Sequence, residues 1–218
     1  MRRNLVILGS SGLAREMAMV AEHIDAREHR WNFLGFIGGS AEERGRDLGL
    51  GVVIGDDAWF LEQDVQADVV IGIGYPKVRA KVLERYLAQG DRFQYPNLIH
   101  PAATLDFRRV ELGRGNVVTA GVAMTCDIEI HDFNLFNLNV TVGHDAAIGS
   151  YDVFNPSVNV SGFVKVGDRV LVGTGAQILE QLSIGADATV GAGAVVRADV
   201  EPGQTVVGVP AKPIGPRQ

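Results

Sequence analysis

His144 and Asp145 stand side by side in Thr141-Val142-Gly143-His144-Asp145, with Asn137, Asn139 and Asn155 making a polar surround. A neutral imidazole takes a proton from an amine or hydroxyl when a carboxylate fixes its tautomer and steadies the cation that forms. The pairing therefore points to general base catalysis. Neighbours on a flat strand face opposite ways, so the two can cooperate only at a corner of the chain. Asp145 is the candidate orienter of His144, and Asp127 competes with it. The other histidines carry less: His23 and His29 lie on or just after a helical pattern, and His100 precedes Pro101. The single cysteine, Cys126, is read either as a nucleophile below His144 or as a small core residue.

These residues fall inside a repeat. Written in sixes from 110 to 205, the chain reads VELGRG NVVTAG VAMTCD IEIHDF NLFNLN VTVGHD AAIGSY DVFNPS VNVSGF VKVGDR VLVGTG AQILEQ LSIGAD ATVGAG AVVRAD VEPGQT. The third place is apolar in every hexad except the last, which has Pro202. The fourth place is glycine at 113, 143, 149, 167, 173, 185, 191 and 203, which a corner with unusual backbone angles would explain. An unbroken period of six marks a β-helix, whereas the strands of a β-sandwich alternate with period two. Six residues on each of three sides make a coil of 18, so residue n lies below n+18 and the segment builds about five coils. Open ends of such a prism need caps, and its flat sides suit self-association as a symmetric trimer.

Columns of this prism can be read directly. His144 belongs to Cys126, His144, Gly162, Glu180, where the glycine leaves a groove beside the imidazole. Asn137 lies below Asn155 and is expected to form an amide ladder at a corner. His131 stacks under Gly149, Gly167 and Gly185 and is read as a corner residue. A zinc site of three histidines, as in the γ-class carbonic anhydrases, is not available from His131 and His144, which occupy different columns. No metal is expected.

Residues 1–100 read differently. Apolar runs at Leu5–Leu8, Phe33–Ile37 and Asp68–Gly74 alternate with helical patterns after Gly12 and over Lys77–Gln89, which implies a small parallel sheet. Ligands of such sheets sit at the carboxyl ends of the strands, here Gly9–Gly12, Gly38–Gly39 and Gly74–Pro76. The loop Gly9-Ser10-Ser11-Gly12 opens a helix and can hold phosphate or carboxylate; the alternative is a plain tight turn. It lacks the third glycine of the dinucleotide fingerprint, and Gly38-Gly39 stands where a ribose-binding acid would be, so a hydride-transfer cofactor is disfavoured.

Composition narrows the class further. A net charge of −6, from 20 basic and 26 acidic residues in 218, supplies no field for nucleic acid or anionic lipid. One cysteine fits a reducing compartment, the apolar run after Arg2-Arg3 is too short for a signal peptide, and no stretch is long enough to span a bilayer. A soluble cytoplasmic protein is expected.

Taken together, the residues resemble the hexapeptide acyltransferases, specifically the sugar acetyltransferases related to sialic acid O-acetyltransferase and to nucleotide-aminosugar N-acetyltransferases. The likeness covers nearly the whole chain. It rests on Gly9–Gly12, on Gly74 with Arg79, on Asn97-Leu98-Ile99-His100-Pro101, on Thr141–Asp145 and on Val206-Val207-Gly208-Val209-Pro210-Ala211-Lys212-Pro213. It implies a small Rossmann-like parallel-sheet α/β domain (1–100) that binds the acceptor, a left-handed parallel β-helix (101–206) that carries acyl transfer, and a C-terminal tail (207–218). It also implies a homotrimer that uses acetyl-coenzyme A as co-substrate. His144 matches the family's general base and Asp145 its acidic partner, while Gly162, Thr174 and Ala192 match positions lining the coenzyme channel between subunits. Ser11, Gly12, Gly74 and Arg79 are the acceptor-binding candidates. Two departures stand out: Gly38 and Gly39 replace the acidic residues that hold uracil in the nucleotide-aminosugar branch, and Val153 replaces its coenzyme-contacting histidine. The expected activity is acetylation of an amino or hydroxyl group of a nucleotide-linked sugar for glycan or surface-polysaccharide synthesis. The competing reading is a trimeric scaffold or nucleotide-sugar-binding protein without catalysis.

Overall fold

The computed structural model describes residues 2–215; residues 216–218 of the C-terminal tail lie outside the described residues. The chain forms two compact units, residues 2–74 with 78–101 and residues 75–77 with 102–215. Among the described residues no helix is long and apolar enough to cross a membrane.

The first unit is a parallel sheet with helices. Its elements are β1 (Arg3–Leu8), α1 (Gly12–Glu28), β2 (Trp31–Gly38), β3 (Val53–Asp56), α2 (Asp57–Glu62), β4 (Ala67–Ile71), α3 (Pro76–Leu87) and β5 (Phe93–Gln94). Strand order is β3-β2-β1-β4-β5, so the direction of winding reverses between β1 and β4. Leu5 to Leu8 are buried as a continuous run, as a central parallel strand covered on both faces requires. Along α1 the buried residues are Ala14, Met17, Ala18, Val20, Ala21 and Ile24, the three-and-four spacing of one helix face. The buried Asp68 of β4 accepts from Arg3 Nε at 2.6 Å and from Trp31 Nε1 at 2.8 Å, which ties β1, β2 and β4 together at their amino ends. The third apolar run ends as a strand at Ile71, earlier than its hydrophobicity suggests. Beyond it, a Cβ on Gly72 would lie 2.6 Å from Ala14 Cα, so the start of α1 packs directly on bare backbone. Strand β3 and helix α2 are too short to show a period in the sequence.

The second unit is a parallel β-helix in the expected register up to its last coil, which is two residues shorter than the period predicts. The first wall stacks Val110–Leu112, Ile128–Ile130, Ala147–Ile148, Lys165–Val166 and Ser183–Ile184. The second holds Val117–Val118, Leu135–Phe136, Val153–Phe154, Leu171–Val172, Thr189–Val190 and Thr205–Val207, and the third Ala123–Met124, Thr141–Val142, Asn159–Val160, Gln177–Ile178 and Val195–Val196. Partners are 18 residues apart, as in Thr141 with Asn159, except in the last coil, where Thr189 pairs with Thr205, 16 residues on; inside the prism Phe136 stacks on Phe154 with ring centres 4.9 Å apart. At the carboxyl end Lys212–Ile214 turns back antiparallel onto Thr205–Val207, which gives the last strand of the second wall a partner.

Two features of the corners differ from the sequence reading. Of the eight fourth-place glycines only Gly203 has positive φ. The left-handed backbone falls instead on the sixth place, at Asp127, Phe133, Asn139, Asp145, Tyr151, Ser157, Phe163, Arg169, Gln181 and Asp187. The fourth-place glycines answer to crowding: a Cβ on Gly143 would lie 2.6 Å from Gly162 N, and one on Gly173 would lie 2.4 Å from Ala192 N. The side-chain ladder also runs elsewhere. Asn137 accepts from Leu138 N and Asn155 donates to Val172 O, so these two serve their own corners. The ladder is the buried column Asn116, Asn134, Asp152, in which each side chain accepts from the backbone N–H one coil on, at 2.9, 2.7 and 2.7 Å. These residues point inward at the first place of their hexads, where a backbone donor out of reach of water needs a partner.

Candidate functional site

The corner between the third and first walls carries His144. Val142 points into the core and is 1% exposed, Gly143 passes against the backbone of the next coil, and His144 emerges at the fifth place. Asp145 follows with φ +58°, and this left-handed residue breaks the alternation of an extended strand and swings the carboxylate to the imidazole's side. His144 Nδ1 lies 2.8 Å from Asp145 Oδ2. A carboxylate only accepts, so Nδ1 carries the hydrogen and the basic lone pair stands on Nε2. The corner is held from both sides: Asp145 N donates to Cys126 O at 3.1 Å, and Phe163 N donates to His144 O at 2.9 Å. Both side chains remain open to water, at 55% and 43% exposed.

Gly162, one coil on, makes room for the ring. A Cβ there would lie 2.8 Å from both Cε1 and Nε2 of His144. Phe163 stands edge-to-face with the imidazole, centres 5.2 Å apart and planes at 90°. Asp127, the competing orienter, pairs with Arg109. Cys126 is a free, half-buried thiol.

Thr174 and Ala192 lie at a different corner. They follow the second-wall strands Leu171–Val172 and Thr189–Val190, whereas His144 and Gly162 follow third-wall strands. Both are exposed. The outer face of the third wall lies between these corners and carries a polar ladder, in which Thr141 donates to Asn159 at 2.5 Å and Asn159 to Gln177 at 3.0 Å. Within the chain, then, the expected coenzyme positions divide between two corners. Val153 is fully buried in the second wall.

In the first unit the carboxyl ends of β1, β2 and β4 bring three of the four acceptor candidates together. Ser11 caps α1 from an extended backbone, and Gly12 begins the helix; both are exposed. Gly74 lies against the same turn, since a Cβ there would meet Leu13 Cδ2 at 3.3 Å. Arg79 departs from its expected role: it is fully buried and donates to Ile73 O at 2.7 Å and Ile71 O at 3.3 Å. Its guanidinium organises the turn after β4, and burial withholds it from an acceptor in solvent.

A carboxylate from four residues downstream folds back onto the Gly38-Gly39 turn. Glu43 Oε1 accepts from Gly39 N at 2.8 Å, while Oε2 accepts from the Ser10 hydroxyl and from Arg46 at 3.0 Å. Arg46 also donates to Ser10 O at 2.9 Å. The Ser10 hydroxyl, the Gly39 N–H and the Arg46 charge hold the Glu43 carboxyl below the ordinary range, against an opposing effect of partial burial. The spacing Ser40-x-x-Glu43 is the signal that could have revealed a carboxylate folding back on this turn. At the other end of α1, His23 Nδ1 lies 2.8 Å from His100 Nε2, and burial together with the nearby His23 and Arg27 charges pushes His100 down.

Residues 4–86 match the PglD N-terminal domain family, and residues 163–198 match the bacterial transferase hexapeptide family (six repeats). No curated protein matches the chain. Among solved structures, PerB of Caulobacter crescentus, in complex with CoA and GDP-perosamine, is 34% identical over 97% of both chains with a TM-score of 0.82. The acetyltransferase domain of PglB from Neisseria gonorrhoeae is 29% identical, covering 98% of this chain and 100% of that one, with a TM-score of 0.86. WeeI of Acinetobacter baumannii is 29% identical, covering 96% of this chain and 99% of that one, with a TM-score of 0.84. With these matches the prism is a left-handed β-helix preceded by an α/β domain.

Proposed function

Because the chain belongs to the hexapeptide-repeat sugar acetyltransferases that carry a PglD-type N-terminal domain, we propose that it acetylates the amino group of a nucleotide-linked sugar, with acetyl-coenzyme A as donor. It is an acyltransferase. The preference for an amine over a hydroxyl draws on PerB, a perosamine N-acetyltransferase in complex with CoA and GDP-perosamine. Glycan or surface-polysaccharide precursor synthesis in the cytoplasm is the matching role.

The observation that carries the mechanism is the 2.8 Å contact of His144 Nδ1 with Asp145, which leaves Nε2 as the base next to the space opened by Gly162. The acceptor nitrogen attacks the thioester carbonyl carbon, its proton passes to Nε2, and the carbon–sulfur bond breaks. Coenzyme A leaves as the thiolate and recovers a proton from the imidazolium. Asp145 holds the ring and stabilises its charged form; the Arg109 pair engages Asp127 elsewhere. Gly162, Thr174 and Ala192 serve the coenzyme. Their division between two corners supports a homotrimer in which the third-to-first-wall corner of one copy meets the second-to-third-wall corner of the next. Ser11, Gly12 and Gly74 take the acceptor's diphosphate at the start of α1, and Arg79 positions that turn.

Thiol release from acetyl-coenzyme A with GDP-perosamine and with UDP- and dTDP-linked amino sugars tests the activity. His144→Ala should lower kcat by about 10²- to 10⁴-fold. Asp145→Asn should lower it as well, while Asp127→Asn leaves it near the wild-type value. Wild-type turnover by His144→Ala, or loss on changing Asp127 in place of Asp145, refutes the assignment.

A further inference from the structure

Phe163 is placed where its residue type is costly. A bulky side chain at positive φ is uncommon, and most sixth-place residues of this prism are Asp, Asn, Ser, Gln, Arg or Gly. The other aromatic residues there are accounted for by packing: Phe133 is 1% exposed and stacks on Tyr151 with centres 5.5 Å apart. Phe163 has φ +59° and is 48% exposed. It stands one coil beyond Asp145, in the column Asp127, Asp145, Phe163, Gln181, and its ring meets the imidazole of His144 at right angles. Because Gly162 has no side chain, nothing from that residue separates the ring from the space beside Nε2.

Backbone strain retained beside a reactive group is a pointer to function. We propose that Phe163 is a specificity-determining residue that packs on the apolar C–H face of the acceptor sugar and so presents the amine to His144. This rests on His144 being the base. A sugar ring is polar at its rim and apolar on its C–H-bearing faces, and an exposed aromatic ring next to the base supplies the apolar wall that binding pockets combine with a few polar groups. The polar groups at this corner, His144 and Asp145, are committed to the proton. Phe163 thereby adds orientation that the charged pair does not provide.

The test uses the full-length protein with GDP-perosamine as acceptor, alongside Phe163→Asn, Phe163→Ala and Phe163→Tyr. Asparagine suits positive φ better than phenylalanine, so Phe163→Asn should melt at the wild-type temperature or above it. The same variant, and Phe163→Ala, should show KM for the acceptor raised by about tenfold, with KM for acetyl-coenzyme A and the pH profile of kcat unchanged. Phe163→Tyr should restore the wild-type acceptor KM. An unchanged acceptor KM in Phe163→Asn, or a fall in its melting temperature or in the size of the assembly, overturns the proposal and makes Phe163 a packing residue. Wild-type protein that releases no thiol with any amino sugar overturns the transferase chemistry itself, and this proposal with it.

Discussion

Adding one methyl group at Gly162 tests the site most sharply. An alanine Cβ would lie 2.8 Å from Cε1 and Nε2 of His144, whereas ordinary contact begins at 3.4 Å, so the imidazole must retreat by about 0.6 Å. Gly162 lies outside the left-handed region, so the backbone accepts alanine and the strain falls on the ring. The ring can move because it is half exposed, but moving stretches the 2.8 Å bond to Asp145 and shifts Nε2 from the acceptor. A misplacement of about 1 Å costs on the order of 10²-fold in rate. Gly162→Ala should therefore lower kcat by about 10- to 100-fold, or about 1.4 to 2.7 kcal/mol on the barrier. The melting temperature should change by no more than about 3 °C, because no core residue is disturbed. Single-turnover transfer with the acceptor and acetyl-coenzyme A saturating separates this from weaker binding. A turnover within twofold of wild type, with only the coenzyme KM raised, would show that Gly162 serves the coenzyme alone and refute the steric argument.

Two further outcomes follow from the scaffold. Asn134→Ala removes the acceptor for Asp152 N and the donor to Gly149 O inside the prism. Each buried group left without a partner costs about 1 to 3 kcal/mol, so chemical denaturation should show a loss of several kcal/mol, and a loss below about 1 kcal/mol would contradict the ladder's role. Acid should weaken the first unit in two stages. His100 is held below its usual value of 6.5, so its neutral form is favoured in the fold and stability declines as pH falls through 6.5 towards the lower folded value. Glu43 is held below 4.5, so its contribution is complete above that pH and is lost as pH falls through the lower folded value; Glu43→Gln should abolish this second stage in a melting series.

Much of the molecule was legible from spacing. A period of six names the β-helix because inward and outward places must repeat at each flat side, and it set the n+18 columns that put Gly162 beside His144. Other features escaped because they depend on neighbours distant in sequence. The fourth-place glycines looked conformational but answer to the backbone of the next coil, and left-handed backbone falls on residues as unlikely as Phe163. Arg79 matched a binding position by type, yet burial turned its charge onto the carbonyls of Ile71 and Ile73. No acid follows β2 directly, yet Glu43, further along the chain, is brought back by a short helix to accept from the Gly39 N–H, a contact that spacing did not show. The choice between Asp145 and Asp127 shows the division most clearly. Sequence placed both carboxylates within reach of one histidine; only the folded corner, with Asp145 at φ +58° and Asp127 paired to Arg109, decided which one meets the imidazole. Residue order fixes periodicity, whereas side-chain direction at a corner depends on backbone angles that the stacked coils impose together.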